Sequence, residues 1–207
     1  GAECRELFEV PQGKKLVGAD LSGLELRCLA HYMGKWDGGA YGKVLLEGDI
    51  HTANQQAAGL ATRAQAKTFI YGFLYGAGAE KIGSIVGKGA KEGQKLKDNF
   101  LAKTPALNKL VKAVQEKAKT SGYLIGLDGR KLHVRSAHSA LNTLLQSAGA
   151  LIAKQALVEL DDLLTSNQLQ TKVKLVAWVH DEFQLECDED VAETVGKLCV
   201  ESFERAG

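Results

Sequence analysis

The most restrictive stretch of this 207-residue chain is VKLVAWVHDEFQLE, residues 173–186. Branched and aromatic residues flank His180 and Asp181 on both sides, a pattern that predicts two antiparallel strands with that pair at the turn. A second run of strand character, KKLVGAD at residues 14–20, lies near the other end of the sequence. Pairing of these strands in one sheet brings the end of the chain back to its beginning, and the residues between become an insertion. The expected class is α+β, with one domain interrupted by another.

The insertion reads as mostly helical. Ser22-Gly23-Leu24-Glu25 fits a capping box ahead of the apolar-periodic Leu26, Leu29, Ala30 and Met33. Gly38 and Gly39 predict a turn, with short helices over residues 41–46 and 51–58. Thr62-Arg63-Ala64-Gln65 is a second capping box and opens a helix that continues through Tyr75. A Gly- and Lys-rich segment follows at residues 76–93, then a lysine-studded helical stretch over residues 94–120, broken at Pro105. The Asp-Gly pair within residues 126–135 predicts a hairpin. Residues 139–164 read as a long core helix, and residues 191–204 as an amphipathic one.

A net charge of +1 conceals a strong asymmetry. Residues 61–135 hold 15 Lys/Arg against 5 Asp/Glu, whereas the flanks are acidic, with 6 against 8 in residues 1–60 and 5 against 12 in residues 136–207. A basic middle suits phosphate binding, and acidic flanks suit metal binding or solubility. The cysteines, Cys4, Cys28, Cys187 and Cys199, lack CxxC or CxxH spacing, so they read as reduced and mostly buried, not as zinc ligands or disulfides. No apolar run approaches the roughly 20 residues that span a bilayer, and residues 1–8 lack a signal-peptide core. The expectation is a cytoplasmic protein without a membrane partner.

Two groups of residues are equipped for chemistry. Asp20 ends the first strand and Asp181 sits at the hairpin tip, so pairing in one sheet would place both carboxylates at one edge. Two carboxylates with little other protein ligation suit magnesium, which keeps waters and takes further oxygens from substrate phosphates. Taken singly, each aspartate also fits an ordinary turn residue. In the helix after Thr62, Arg63, Lys67, Tyr71 and Tyr75 recur at intervals of four along one slowly turning stripe. The two cations fall in the first two turns, where unpaired N–H groups already favour an anion. Gly72 removes a side chain where a base would approach. The segment Gly83-Ser-Ile-Val-Gly87-Lys88-Gly89 is a decoy for a phosphate loop, one residue short between its glycines and with Gly89 where Ser or Thr belongs.

DLSGLELR (residues 20–27) resembles motif A of the family A, or polymerase I superfamily, DNA polymerases. RAQAKTFIYGFLYGAG (residues 63–78) resembles motif B, and VHDE (residues 179–182) resembles motif C, in the family's order. GDIHT (residues 48–52), GLDGRK (residues 126–131) and LNTLLQSAGA (residues 141–150) extend the resemblance over most of the chain, in the variant found in short-tailed phage replicases. The resemblance implies a right-hand polymerase fold. An antiparallel palm sheet is formed by residues 1–50 and 126–207, and a helical fingers subdomain of residues 51–125 is inserted in it.

It also implies roles. Asp20 and Asp181 would hold two magnesium ions, with the Leu21 carbonyl and Glu182 in support. Arg63, Lys67 and His51 would contact the phosphates of a deoxynucleoside triphosphate, and Lys67 would protonate the leaving pyrophosphate. Glu25 would disfavour a ribose 2′-hydroxyl, and Tyr71 would lie beside the sugar 3′ carbon. Gly72 and Tyr75 would meet the template, while Asn142, Gln146 and His180 would read the minor-groove side of the primer terminus. Implied partners are primer-template DNA, deoxynucleotides and a processivity factor bound through a thumb. Nothing in the sequence resembles a thumb or exonuclease, so a palm and fingers fragment is expected, in the host cytoplasm if the source is a phage. Two alternatives are a single-subunit phage RNA polymerase, which Glu25 and YGFLYG disfavour, and a non-catalytic nucleic-acid-binding module.

Overall fold

In the computed structural model, which describes residues 6–207, strand β1 (Lys14–Asp20) pairs antiparallel with β5 (Glu182–Asp188), and β5 pairs antiparallel with β4 (Val173–Val179). The two ends of the sequence therefore share one sheet, as the strand patterns require. Cys4 lies outside the described residues. These residues form two compact units, one of residues up to Leu24 with Gly149–Gly207, the other Glu25–Ala148. Within the second unit helix α2 (Ala40–Glu47) packs on helix α3 (Ile50–Ala58), and strand β2 (Tyr123–Ile125) packs on helix α7 (Pro105–Ser121).

In the sheet unit, alternation along β5 separates two faces. Phe183, Leu185 and Cys187 are buried, whereas Glu182, Gln184, Glu186 and Asp188 are only partly covered on the opposite face. The buried set packs with Leu160, Leu163 and Leu164 of helix α8 (Ala140–Ser166) and with Val195, Leu198 and Cys199 of helix α9 (Ala192–Ala206). Phe183 also meets Phe203, with ring centroids 5.2 Å apart. Covering one face with apolar contacts fixes the register, because a one-residue slip would turn every side chain of a strand over. Cys187 and Cys199 are free and buried, and burial pushes the Cys199 thiol up to about 11.

The helical unit begins with helix α1 (Leu24–Asp37), followed by α2, α3, helix α4 (Arg63–Leu74), helix α5 (Ala79–Ser84), helix α6 (Ala90–Lys103) and α7; β2 then pairs with strand β3 (Lys131–His133). Helix α4 buries Ala66, Phe69, Ile70, Phe73 and Leu74. Phe69 and Phe73 meet the ring of Phe100 edge-on, at centroid distances of 5.1 and 5.5 Å. Pro105 occupies the first turn of α7, where its missing N–H costs nothing.

The Gly-rich segment proves to be structured. It contains α5 and the start of α6, and its glycines permit backbone to approach backbone. A Cβ on Gly93 would fall 1.8 Å from the Ala79 carbonyl oxygen, and one on Gly83 2.1 Å from that of Gly89. No apolar periodicity announces such packing. Residues 83–89 serve as the end of α5 and its following turn.

Candidate active site

The sheet unit places its carboxylates through backbone pairing. The β4–β5 turn is the two-residue pair His180-Asp181, with Val179 opposite Glu182. His180 has φ 57°, the positive value that such tight hairpins demand. The Trp178 indole Nε1–H donates to the His180 carbonyl at 2.9 Å and braces the turn. On the neighbouring strand Asp20 stands opposite Glu182, and the Leu21 N–H donates to the Asp181 carbonyl at 3.1 Å. Asp20, Leu21, Asp181 and Glu182 thus converge on one end of the sheet. Asp20 is exposed, and Asp181 and Glu182 are half-buried.

Like charges directly opposite on adjacent strands repel. The register sets the Asp20 and Glu182 carboxylates against each other, a repulsion that a bound cation would offset. The Gln184 side-chain amide donates to Glu182 Oε1 and lies over Gly18, where an added Cβ would sit 2.9 Å from Gln184 Nε2. Gly18 therefore makes room for the residue that orients Glu182. Among the described residues no three His, Cys, Asp or Glu side chains form a metal cage. The all-oxygen donor set fits magnesium, which is commonly bound by one or two carboxylates together with substrate phosphates.

The helical unit places its cations by side-chain capping. Thr62 Oγ1 accepts from the Gln65 N–H and Gln65 Oε1 accepts from the Thr62 N–H, so the expected capping box is complete. Helical periodicity then sets Arg63 and Lys67 on an exposed stripe with the half-buried Tyr71 beyond. Asp49 caps α3 by accepting from the N–H groups of His51 and Thr52, and also accepts from Arg63 Nε at 2.7 Å. The Arg63 guanidinium foremost, then the hydroxyl and N–H of Thr52, hold its carboxyl well below the usual carboxylate range. The His51 ring lies 6.4 Å from that of Tyr71. Its Nδ1 is buried without a hydrogen-bond partner. Burial, then the charges of Arg63 and Lys67, push the His51 imidazole down.

Tyr75 closes α4, and its hydroxyl donates to Glu25 Oε1 at 2.7 Å. Burial first, then this carboxylate, push the phenol up to about 12, while Gln146 acts in the opposite direction. Asn142 and Gln146 lie one turn apart on α8, half-buried, and belong to the helical unit; the exposed His180 belongs to the sheet unit. Gly72 backs onto α5, where an added Cβ would lie 3.3 Å from Ile82 Cδ1. Together with Thr68, Tyr75, Ala77, Ile82 and Ile85 it lines a cavity of about 370 Å³.

Sequence reasoning missed Asp49, Trp178 and Gln184. Only Asp49 carried a readable signal, as an aspartate immediately before a helical run.

The model of DNA polymerase family A matches residues 1–207. The chain is 46% identical to the DNA-directed DNA polymerases of Enterobacteria phage T3 and Escherichia phage T7, over 100% of its own length and 33% of theirs. It is 31% identical to DNA polymerase I of Pseudomonas aeruginosa, over 94% of this chain and 23% of that protein. It thus spans about a third or less of these curated relatives. The solved POL domain of Pol1 from M. smegmatis, in complex with DNA primer-template and dNTP, shares the fold with a TM-score of 0.83 at 23% identity. That likeness covers 98% of this chain and 39% of the other.

Proposed function

The chain belongs to DNA polymerase family A, and from that premise we propose that it carries the nucleotidyl-transfer site of a template-directed DNA polymerase, with residues 1–50 and 126–207 as palm and residues 51–125 as fingers. The reaction joins a primer 3′-hydroxyl to the α-phosphorus of a deoxynucleoside triphosphate and releases pyrophosphate. The observation that carries this reading is the register that sets Asp20 against Glu182, one residue from Asp181.

Asp20 and Asp181 would hold two magnesium ions, with the Leu21 carbonyl and Glu182 assisting. Such ions, when bound, activate the attacking hydroxyl and neutralise charge on the leaving oxygen. Arg63, Lys67 and His51 bind the triphosphate, and Lys67 donates a proton to the departing pyrophosphate. Glu25, fixed by the Tyr75 hydroxyl, fills the space a ribose 2′-hydroxyl would need. Tyr71 lies beside the sugar 3′ carbon, and Gly72 and Tyr75 meet the template. Asn142, Gln146 and His180 read minor-groove acceptors that correct base pairs share. Primer-template DNA and deoxynucleotides are the partners, with a processivity factor engaged through a thumb segment.

Primer extension by the protein as its complete gene encodes it tests the reading. Asp20→Asn and Asp181→Asn should each lose about 1,000-fold or more in rate, the equivalent of several kcal/mol of transition-state stabilisation, while DNA binding persists. Extension retained by either variant in magnesium would overturn the metal assignment.

A further inference from the structure

Asp49 carries no role in the reading above, yet four hydrogen bonds meet at its carboxylate. Oδ1 accepts from the N–H groups of His51 and Thr52 at 3.1 and 3.3 Å. Oδ2 accepts from Thr52 Oγ1 at 2.8 Å and from Arg63 Nε at 2.7 Å. One side chain therefore joins the first turn of α3, which bears His51, to the first turn of α4, which bears Arg63 one turn before Lys67. The pair is open to solvent, with Arg63 57% and Asp49 43% exposed. An exposed ion pair adds little to stability, so its consequence is orientation.

The atoms used matter. A guanidinium has five N–H donors in a rigid fork, and Asp49 takes the one on Nε. Among the described residues no other carboxylate engages Arg63, so the four Nη–H donors remain for a bidentate anion. Meanwhile Asp49 fixes the backbone that carries His51, whose Nδ1 is buried and unpartnered. A buried polar group without a partner marks a place where a ligand completes the network.

We propose that Asp49 is a positioning residue for triphosphate binding: it holds the Arg63 fork and the His51 ring in one arrangement before the nucleotide arrives. This rests on the assignment of Arg63, Lys67 and His51 to the nucleotide phosphates. Its carboxylate stays ionised because the four donors surround it, and the local charge remains positive because Arg63 and Lys67 outnumber it. Preorganisation of this kind lowers the ordering cost of binding, so its loss appears in nucleotide affinity before it appears in chemistry.

The test is steady-state primer extension with the complete protein, reading KM for the deoxynucleotide separately from kcat. Asp49→Ser keeps an oxygen to cap α3 but is too short to reach Arg63. It should raise KM on the order of tenfold with a smaller change in kcat. Asp49→Asn retains both the cap and an acceptor for Nε–H, and should recover part of that loss. Adding Asp49→Ser to Arg63→Ala should cost little beyond Arg63→Ala alone, since both remove one arrangement.

A KM for Asp49→Ser that stays at or falls below the wild-type value, with Arg63→Ala still raising it, makes Asp49 a helix cap only and overturns the proposal. If Arg63→Ala and Lys67→Ala both leave KM unchanged, the phosphate assignment itself fails. Should Asp49→Ser not fold, the Asn variant decides, because a KM equal to that of Arg63→Ala in a folded Asn variant contradicts the rescue.

Discussion

The two units of this chain arrange their functional groups by opposite means. In the sheet unit, Asp20 and Asp181 are 161 positions apart in the sequence, and the hydrogen-bond ladder of β1 with β5 brings them to the same edge. In the helical unit, His51, Arg63, Lys67 and Tyr71 lie within 21 positions of one another, and local capping by Asp49 and Thr62 sets them. The difference teaches that backbone changes should damage the first site, and side-chain changes the second.

The sharpest way to break this comparison is Leu21→Pro. It removes the N–H that donates to the Asp181 carbonyl, while Asp20, already in extended conformation, tolerates a following proline. A displacement of about 1 Å between reacting groups costs about 100-fold in rate, so primer extension should fall by about that factor with the protein still folded. A rate within twofold of wild type would mean that side chains, not the ladder, fix the carboxylates.

The helical unit has its own backbone dependence, where α5 meets α6. Gly93→Ala would drive a methyl group into the Ala79 carbonyl, against main chain that has little freedom to yield. The expected destabilisation is about 2–3 kcal/mol, read as a lower denaturant midpoint with an unchanged slope. Gly87→Ala replaces a glycine with φ 68° and nothing within 4 Å of the new Cβ, so its cost is conformational and smaller. If the two variants unfold alike, close helix approach does not explain Gly93.

Trp178→Phe is a milder probe of the hairpin. The phenyl ring retains most of the apolar surface but cannot donate to the His180 carbonyl. Loss of one such bond is worth about 1 kcal/mol, so extension should slow several-fold, and the magnesium concentration for half-maximal rate should rise. An unchanged magnesium dependence would leave Trp178 as surface packing.

These particulars also show what could be read without coordinates. The strands, the hairpin tip, the break at Pro105 and the capping box at Thr62 follow from local chemistry, because alternation, proline and hydroxyl caps act within a few residues. The approach of the two aspartates at the sheet edge was legible as an expectation, since Asp20 ends a strand and Asp181 sits at a hairpin tip. Gln184 over Gly18 was not legible, because it depends on which residues face each other across β1 and β5. Helix α5 escaped for a related reason: it is only six residues long and buries just Ile82 and Gly83, too few apolar positions to show a hydrophobic period. Asp49 lay between, visible as a helix cap but not as the partner of a cation 14 positions away.

The smallest effect tests whether the side-chain-built site responds to pH as its geometry requires. In the free protein, burial and then the neighbouring Arg63 and Lys67 hold the His51 imidazole below its ordinary 6.5, so it is neutral at pH 7. A triphosphate beside it favours the protonated form and raises that value in the complex. Nucleotide binding therefore takes up a proton at pH values between the lowered free value and the raised bound one. By linkage, affinity strengthens as pH falls through that window and levels off below the free value. The expected gain is a few-fold per pH unit at most, because a single site gives a slope of no more than about tenfold per unit. Nucleotide affinity measured from pH 8 to pH 5.5 should show this rise in the wild type, and His51→Ala should flatten it. A rise that survives in His51→Ala would assign the proton to another group and remove His51 from the phosphate site.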